Sequence, residues 1–152
     1  MIMRGEVAQR IGLVGCVSKK ADRPLPARDL YLSALFLGRR AMVERTCTRW
    51  FILSAKHGVI SPEEIVAPYD QSLKRATSAQ RRSWSQAVLQ ALEAAAGPLS
   101  RCVIEIHAGA EYRSFGLEQG LRIRGVQVIV PALGLPIGRQ LAFYKRERNH
   151  GS

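Results

Sequence analysis

Arg10-Ile-Gly-Leu-Val-Gly15 runs directly into Cys16-Val-Ser-Lys19-Lys20, and this junction decides the fold. The first stretch reads as an apolar strand. A thiol, a hydroxyl and two ammonium groups follow at its carboxyl end. In open α/β sheets the ligand site lies outside the carboxyl ends of parallel strands. Three further strand-like runs end in a similar way: 51–54 before Lys56-His57-Gly58, 103–106 before His107-Ala-Gly109, and 126–130 before Pro131-Ala-Leu-Gly134. Four such ends predict one crevice at one edge of a sheet.

Between these runs the pattern changes to helical spacing. Leu30, Tyr31, Ala34, Leu35, Leu37, Ala41 and Met42 predict a well-buried helix over 28–45. Ser61-Pro62-Glu63-Glu64 has a cap, a first-turn proline and an acidic residue, which predicts a short helix ended by Pro68. Thr77-Ser-Ala-Gln80 predicts a capping box, with Trp84, Val88 and Leu92 on the face behind it and Gly97-Pro98 as the stop. Further helices are expected over 110–123 and from 138 onward. The alternation predicts a single three-layer α/β domain over 1–152, its core at about 10–146. Its sheet is expected to be mainly parallel and four-stranded, with helices on both faces.

Composition narrows the function. The chain has 152 residues, 47% of them hydrophobic, which suits one domain with a real core. No apolar run approaches the roughly 20 residues that span a bilayer, and the first residues are too short and polar for a signal peptide. Three cysteines at wide spacing do not make a disulfide framework. Cys47 and Cys102 read as core thiols, and a reducing cytoplasm is the expected compartment. Twenty-three Lys and Arg stand against 12 Asp and Glu, a formal net charge of +11. The basic residues are spread along the chain, not gathered in a tail. This excess points to a polyanion, DNA or RNA, rather than to a membrane surface.

Several motifs carry a family resemblance. The stretch 51–73, with Leu53-Ser-Ala-Lys-His-Gly58 leading to Pro68-Tyr69-Asp70, resembles the matching stretch of the YaaA-like peroxide-stress proteins. The whole chain, over about 11–145, is more similar to a small bacterial and phage domain of unknown function. The shared pieces are Cys16 to Lys20, Leu30-Tyr31-Leu-Ser33-Ala-Leu-Phe36, Leu53 to Gly58, Pro68-Tyr69-Asp70, Gly109-Ala-Glu-Tyr112, and Gly134 to Gly138 with Phe143-Tyr144. Cys16 and Lys20 also reproduce the Cys-x-x-x-Lys spacing of the archaeosine synthase catalytic domain, although Gly15 and Ala21-Asp22 stand where that signature has Pro and Pro-Tyr. These likenesses imply a fold akin to uracil-DNA glycosylases, with a basic cleft for nucleic acid or a nucleobase.

The candidate catalytic residues are Cys16 as nucleophile, His57 and His107 as proton donors or acceptors, and Asp70, or Glu111, as a carboxylate near the sugar. Ser18, Lys19, Lys20, Ser54, Lys56, Gly58 and Gly109 are candidates for substrate contacts, and Tyr31, Tyr69 and Tyr112 for base stacking. Arg81 and Arg82 are candidates for the nucleic-acid backbone. Each has a structural alternative: a small strand-end residue for Cys16, a turn histidine for His57, a turn cap for Asp70, core packing for Tyr31. No pair of ligands has metal-site spacing, so no metal or cofactor is expected. The expected function is an enzyme acting on a nucleobase, by N-glycosidic cleavage or by base exchange or modification. The alternatives are a non-catalytic DNA-binding stress protein and a small nucleoside or nucleotide hydrolase. The sequence leaves the oligomeric state open.

Overall fold

The computed structural model describes residues 9–16 and 19–150. In chain order its first elements are β1 (Arg10–Gly15), β2 (Leu25–Pro26), α1 (Ala27–Leu30), α2 (Ala34–Thr46), β3 (Arg49–Ser54), β4 (Gly58–Ile60) and β5 (Ile65–Val66). After a short 3-10 turn follow α3 (Ser78–Ala96), β6 (Val103–His107), α4 (Ala110–Arg113), α5 (Leu117–Ile123), β7 (Gln127–Ile129) and α6 (Ile137–His150).

β1 lies at the centre of the sheet, with β3 on one side and β6 on the other, both parallel to it. β7 continues the parallel set beyond β6. Ile11, Leu13 and Val14 are fully buried, as expected of a strand covered on both faces. The register sets Val14 beside Ile52 and His107, so three strands end level with one another.

The sheet has five strands, not four, in the order β4-β3-β1-β6-β7. The extra strand, β4, folds back antiparallel on β3, with Ser54 opposite Gly58 and Ile52 opposite Ile60. The Lys56-His57 stretch is therefore the turn of a hairpin and not a loop leaving a parallel strand. The run Val59-Ile60 is too short to show a periodicity of its own.

Two expected helices differ from the structure. The helix over 28–45 is broken at residues 31–33. There Lys20 and Tyr31 form an isolated β-bridge, and Leu32 donates its backbone N–H to the carbonyl of Lys19. Ser33 then starts α2 afresh, its Oγ accepting from the Phe36 N–H at 3.1 Å. Ser61-Pro62-Glu63-Glu64 forms a turn that enters β5. Its carbonyls are used by α1, with Ala27 N–H donating to Glu64 and Arg28 N–H to Pro62. Fewer than two helical turns fit before Pro68, and a nucleus that short is unfavourable against such tertiary partners. The 110–123 helix is likewise split, at Gly116, whose φ of 116° a side chain would resist. Other starts fall where expected: Thr77 caps α3 with both bonds of a capping box.

One buried cluster joins β1, β3 and β6 to α2, α3 and α5. α2 packs on α6 at Gly38, where a Cβ would lie 2.7 Å from that of Tyr144. Arg45 fastens the same helix pair through Glu147 at 3.3 Å.

Candidate functional site

Cys16 follows the last residue of β1, and its backbone N–H donates to the Leu53 carbonyl at 3.1 Å, which holds it level with the end of β3. Its sulfur is 3.4 Å from the hydroxyl of Tyr112 on α4 and 3.6 Å from that of Tyr69. The Tyr69 hydroxyl in turn lies 2.7 Å from both Ser54 Oγ and the Tyr31 hydroxyl. Ser54 Oγ also accepts the His57 N–H at 3.0 Å. Four segments distant in sequence thus meet around one thiol. Burial pushes the phenols of Tyr31, Tyr69 and Tyr112 above their ordinary value, so they remain protonated donors at neutral pH.

Cys16 and Tyr112 lie in the wall of a cavity of about 530 Å³ at the strand ends. The size suits a nucleoside-scale ligand. Two carboxylates, Asp70 and Glu111, line it, as do four cations: Lys20, Arg39, Lys74 and Arg75. Gly109, Ile137 and Gln140 also line it, with Leu35, Gln71 and Ser72. Lys20 Nζ also sits 4.4 Å from the centre of the Tyr69 ring, within cation–π range.

Not every candidate reaches this cavity. His57 lies exposed in the hairpin turn, edge-on to the Tyr69 ring at 5.2 Å, and does not line the cavity. Lys56 and Gly58 belong to the same hairpin, and Lys19 is an exposed loop residue. Ser54 reaches Cys16 only through Tyr69. Tyr31 is 0% exposed, so its ring packs in the core on Phe36 and has no open face for a base. Arg81 donates to the carbonyls of Leu73 and Lys74 and stacks on Phe115, which uses its guanidinium as a local clamp. Arg82 is exposed on α3. Ser18 lies outside the described residues.

His107 is 2% exposed and is held between two groups. Its Nδ1 is 2.6 Å from the Tyr144 hydroxyl, and its Nε2 faces Glu105 Oε1 at 3.2 Å. The other oxygen of Glu105 accepts from Thr46 at 2.7 Å and Cys47 at 3.0 Å, and pairs with Arg10 at 3.5 Å. Burial would raise the Glu105 carboxyl, but the close His107 ring and hydrogen bonds from Cys47 and Thr46 outweigh it and bring it down to about 2. Burial lowers His107 below its ordinary value despite that carboxylate. The consistent state is an ionised Glu105 facing the Nε2–H of a neutral imidazole, which accepts from Tyr144 at Nδ1. Burial likewise pushes the Cys47 thiol up to about 11 and the Tyr144 phenol to about 12.

Arg39 has no place among the residues expected from the sequence. It lies on the buried stripe of α2 between Phe36 and Val43, at helical spacing. An arginine on an apolar helix face was the available signal, because arginine is almost never fully buried without a partner.

A family model for a family of unknown function (DUF6884) matches residues 11–146, and the chain belongs to that family. This agrees with the expectation of a domain of unknown function. No curated protein and no solved structure matches the chain. Among the described residues no helix is long and apolar enough to cross a membrane.

Proposed function

We propose that this protein is an enzyme that acts on a nucleobase or its nucleotide in the cavity at the strand ends, with Cys16 as nucleophile. The observation that carries this reading is the shared cavity. A thiol held by two phenols lies in one wall with two carboxylates and four cations. Of the two reactions expected from the sequence, base modification fits this wall better than N-glycosidic cleavage. Cleavage gives the thiol no role, and both histidines expected as proton donors for a departing base lie elsewhere. The cavity instead offers a sulfur able to add to a ring carbon that carries an exocyclic amine; the S–H proton passes by way of Tyr112 and Asp70 or Glu111 to that amine, which leaves as ammonia, and water then replaces the sulfur and returns the thiol. The formal charge of +11 favours a phosphate-bearing substrate, free or in a strand. The likeness of Cys16 and Lys20 to the archaeosine synthase signature supports base chemistry in particular.

The test is to incubate the protein with single-stranded and duplex oligonucleotides and with mononucleotides, then follow base masses and protein mass together. The expected result is a changed base, and a protein adduct that maps to Cys16. Cys16→Ala should lose both and keep its affinity for the substrate. Full turnover by Cys16→Ala rejects the nucleophile. Tight binding to oligonucleotides with no chemistry from the wild type favours the DNA-binding alternative.

A further inference from the structure

Arg39 lies in the wall of the cavity, yet it is only 6% exposed. Its Nη1 donates to the Gly15 carbonyl and its Nη2 to Gln140 Oε1, both at 3.3 Å, while its Nε has no partner. None of the ion pairs among the described residues includes it. A guanidinium withdrawn from water loses several kcal/mol of solvation, normally offset by a carboxylate or another anion. Here the protein supplies neutral acceptors instead. Burial disfavours the charged form, and neither Tyr144 nor Glu111, which favour it, offsets that. Arg39 is therefore a buried charge that lacks a counterion.

Its surroundings indicate which anion. Lys20, Lys74 and Arg75 line the same cavity, so four cations face the two carboxylates Asp70 and Glu111. The wall carries a surplus of two positive charges. That surplus matches a phosphate, whose oxygens take the planar N–H groups of a guanidinium in pairs. The buried chain behind Arg39 fits a positioning task. Gln140 on α6 accepts from Arg39, Tyr144 on the same helix bonds to His107, and His107 faces Glu105. Each link restrains the next, so the guanidinium is held before the ligand arrives.

We propose that the cavity binds a phosphate group of its ligand on Arg39, with Lys20, Lys74 and Arg75 around it, which places the substrate among phosphorylated nucleosides or nucleic-acid strands rather than free bases. This rests on the cavity being the substrate site, but it does not depend on the chemistry of Cys16.

Isothermal titration of wild-type and Cys16→Ala protein with inorganic phosphate is the first test, followed by nucleosides, nucleoside 5′-monophosphates and a short single-stranded oligonucleotide. Both proteins should bind phosphate, and monophosphates should bind better than the matching nucleosides. Preference for the monophosphate over the oligonucleotide identifies a free nucleotide as the source of the phosphate, and the reverse identifies a strand. Arg39→Gln should weaken phosphate binding by about tenfold or more, as for removal of one charge-assisted hydrogen bond. Arg39→Lys should restore part of it. If Arg39→Gln does not fold, NMR of the wild type with labelled arginine decides: the guanidinium resonance of Arg39, assigned by its absence from Arg39→Lys, should shift as inorganic phosphate is added. Phosphate binding that leaves this resonance unmoved places the anion elsewhere and overturns the proposal. So does wild-type protein that ignores millimolar phosphate and binds nucleosides as well as their monophosphates. Phosphate binding in Cys16→Ala without any turnover by the wild type leaves this inference standing and removes only the proposed reaction.

Discussion

At the scale of single residues, the chemistry is concentrated in hydroxyl groups that bond to one another. Tyr69 is the hub, since its hydroxyl contacts Ser54, Tyr31 and Cys16. Tyr69→Phe leaves two buried hydroxyls short of a partner, and it should cost about 1–3 kcal/mol. A chemical melt checks this, and an unchanged midpoint would show that the network carries no stability. The Glu105–His107 pair makes a second prediction, for pH. His107 is lowered in the folded state, so its neutral form adds stability that is complete above the unfolded value of 6.5 and falls as pH drops below it. Glu105, brought down to about 2 from an ordinary 4.5, adds stability that is complete above 4.5 and is lost as pH falls through 2. The melting temperature of the wild type should therefore fall in two steps on acidification. His107→Gln should remove the upper step and keep the lower one. Equal upper steps in both proteins would assign that step to another group.

At the scale of elements, the helix starts and the close helix contacts are the sensitive points. Thr77 Oγ1 accepts the Gln80 N–H at 3.1 Å, and Gln80 Oε1 accepts the Thr77 N–H at 2.9 Å. Thr77→Ala removes half of this reciprocal cap and should cost about 1 kcal/mol, read from urea unfolding. Gly38→Ala is predicted to cost more, about 1–3 kcal/mol, because the new methyl would meet the Tyr144 Cβ at 2.7 Å across the α2–α6 contact. It should also weaken phosphate binding, since Gln140 on the same α6 helix accepts from Arg39. A melt beside the phosphate titration separates these effects: lower stability with intact binding would show that α6 can shift without disturbing the cavity.

At the scale of the whole molecule, charge dominates. A chain with net charge +11 that meets a nucleic-acid strand should bind it with a steep dependence on salt. Lys19→Ala, Lys20→Ala should make the plot of log affinity against log salt shallower by about one unit for each phosphate no longer neutralised. Lys20 lines the cavity and Lys19 is exposed beside it, so the single variants should differ: Lys20→Ala alone should also weaken mononucleotides. A slope unchanged in the double variant would remove both lysines from the proposed contact with a strand.

The apolar runs determined the parallel strands without help from the rest of the molecule, because a strand buried on both faces needs continuous apolar sequence, as in Arg10–Gly15 and Arg49–Ser54. Local hydrogen bonding likewise determined the Thr77 cap, whose partners lie within one turn. The strand ends named Cys16, Lys20 and Gly109, and the shared motifs named Asp70 and Tyr112; all five line the cavity. Only the tertiary structure decided the rest, because the competing partners lie far away in sequence. Pairing with Lys20 broke the helix at Tyr31, and β2 and α1 drew the 61–64 turn out of helical form. The antiparallel hairpin carried His57 away from the cavity, and packing of α6 enclosed His107 behind Tyr144. Arg39 acquired its place only when the end of β1, α2 and α6 closed around one guanidinium, a convergence that no local pattern encodes.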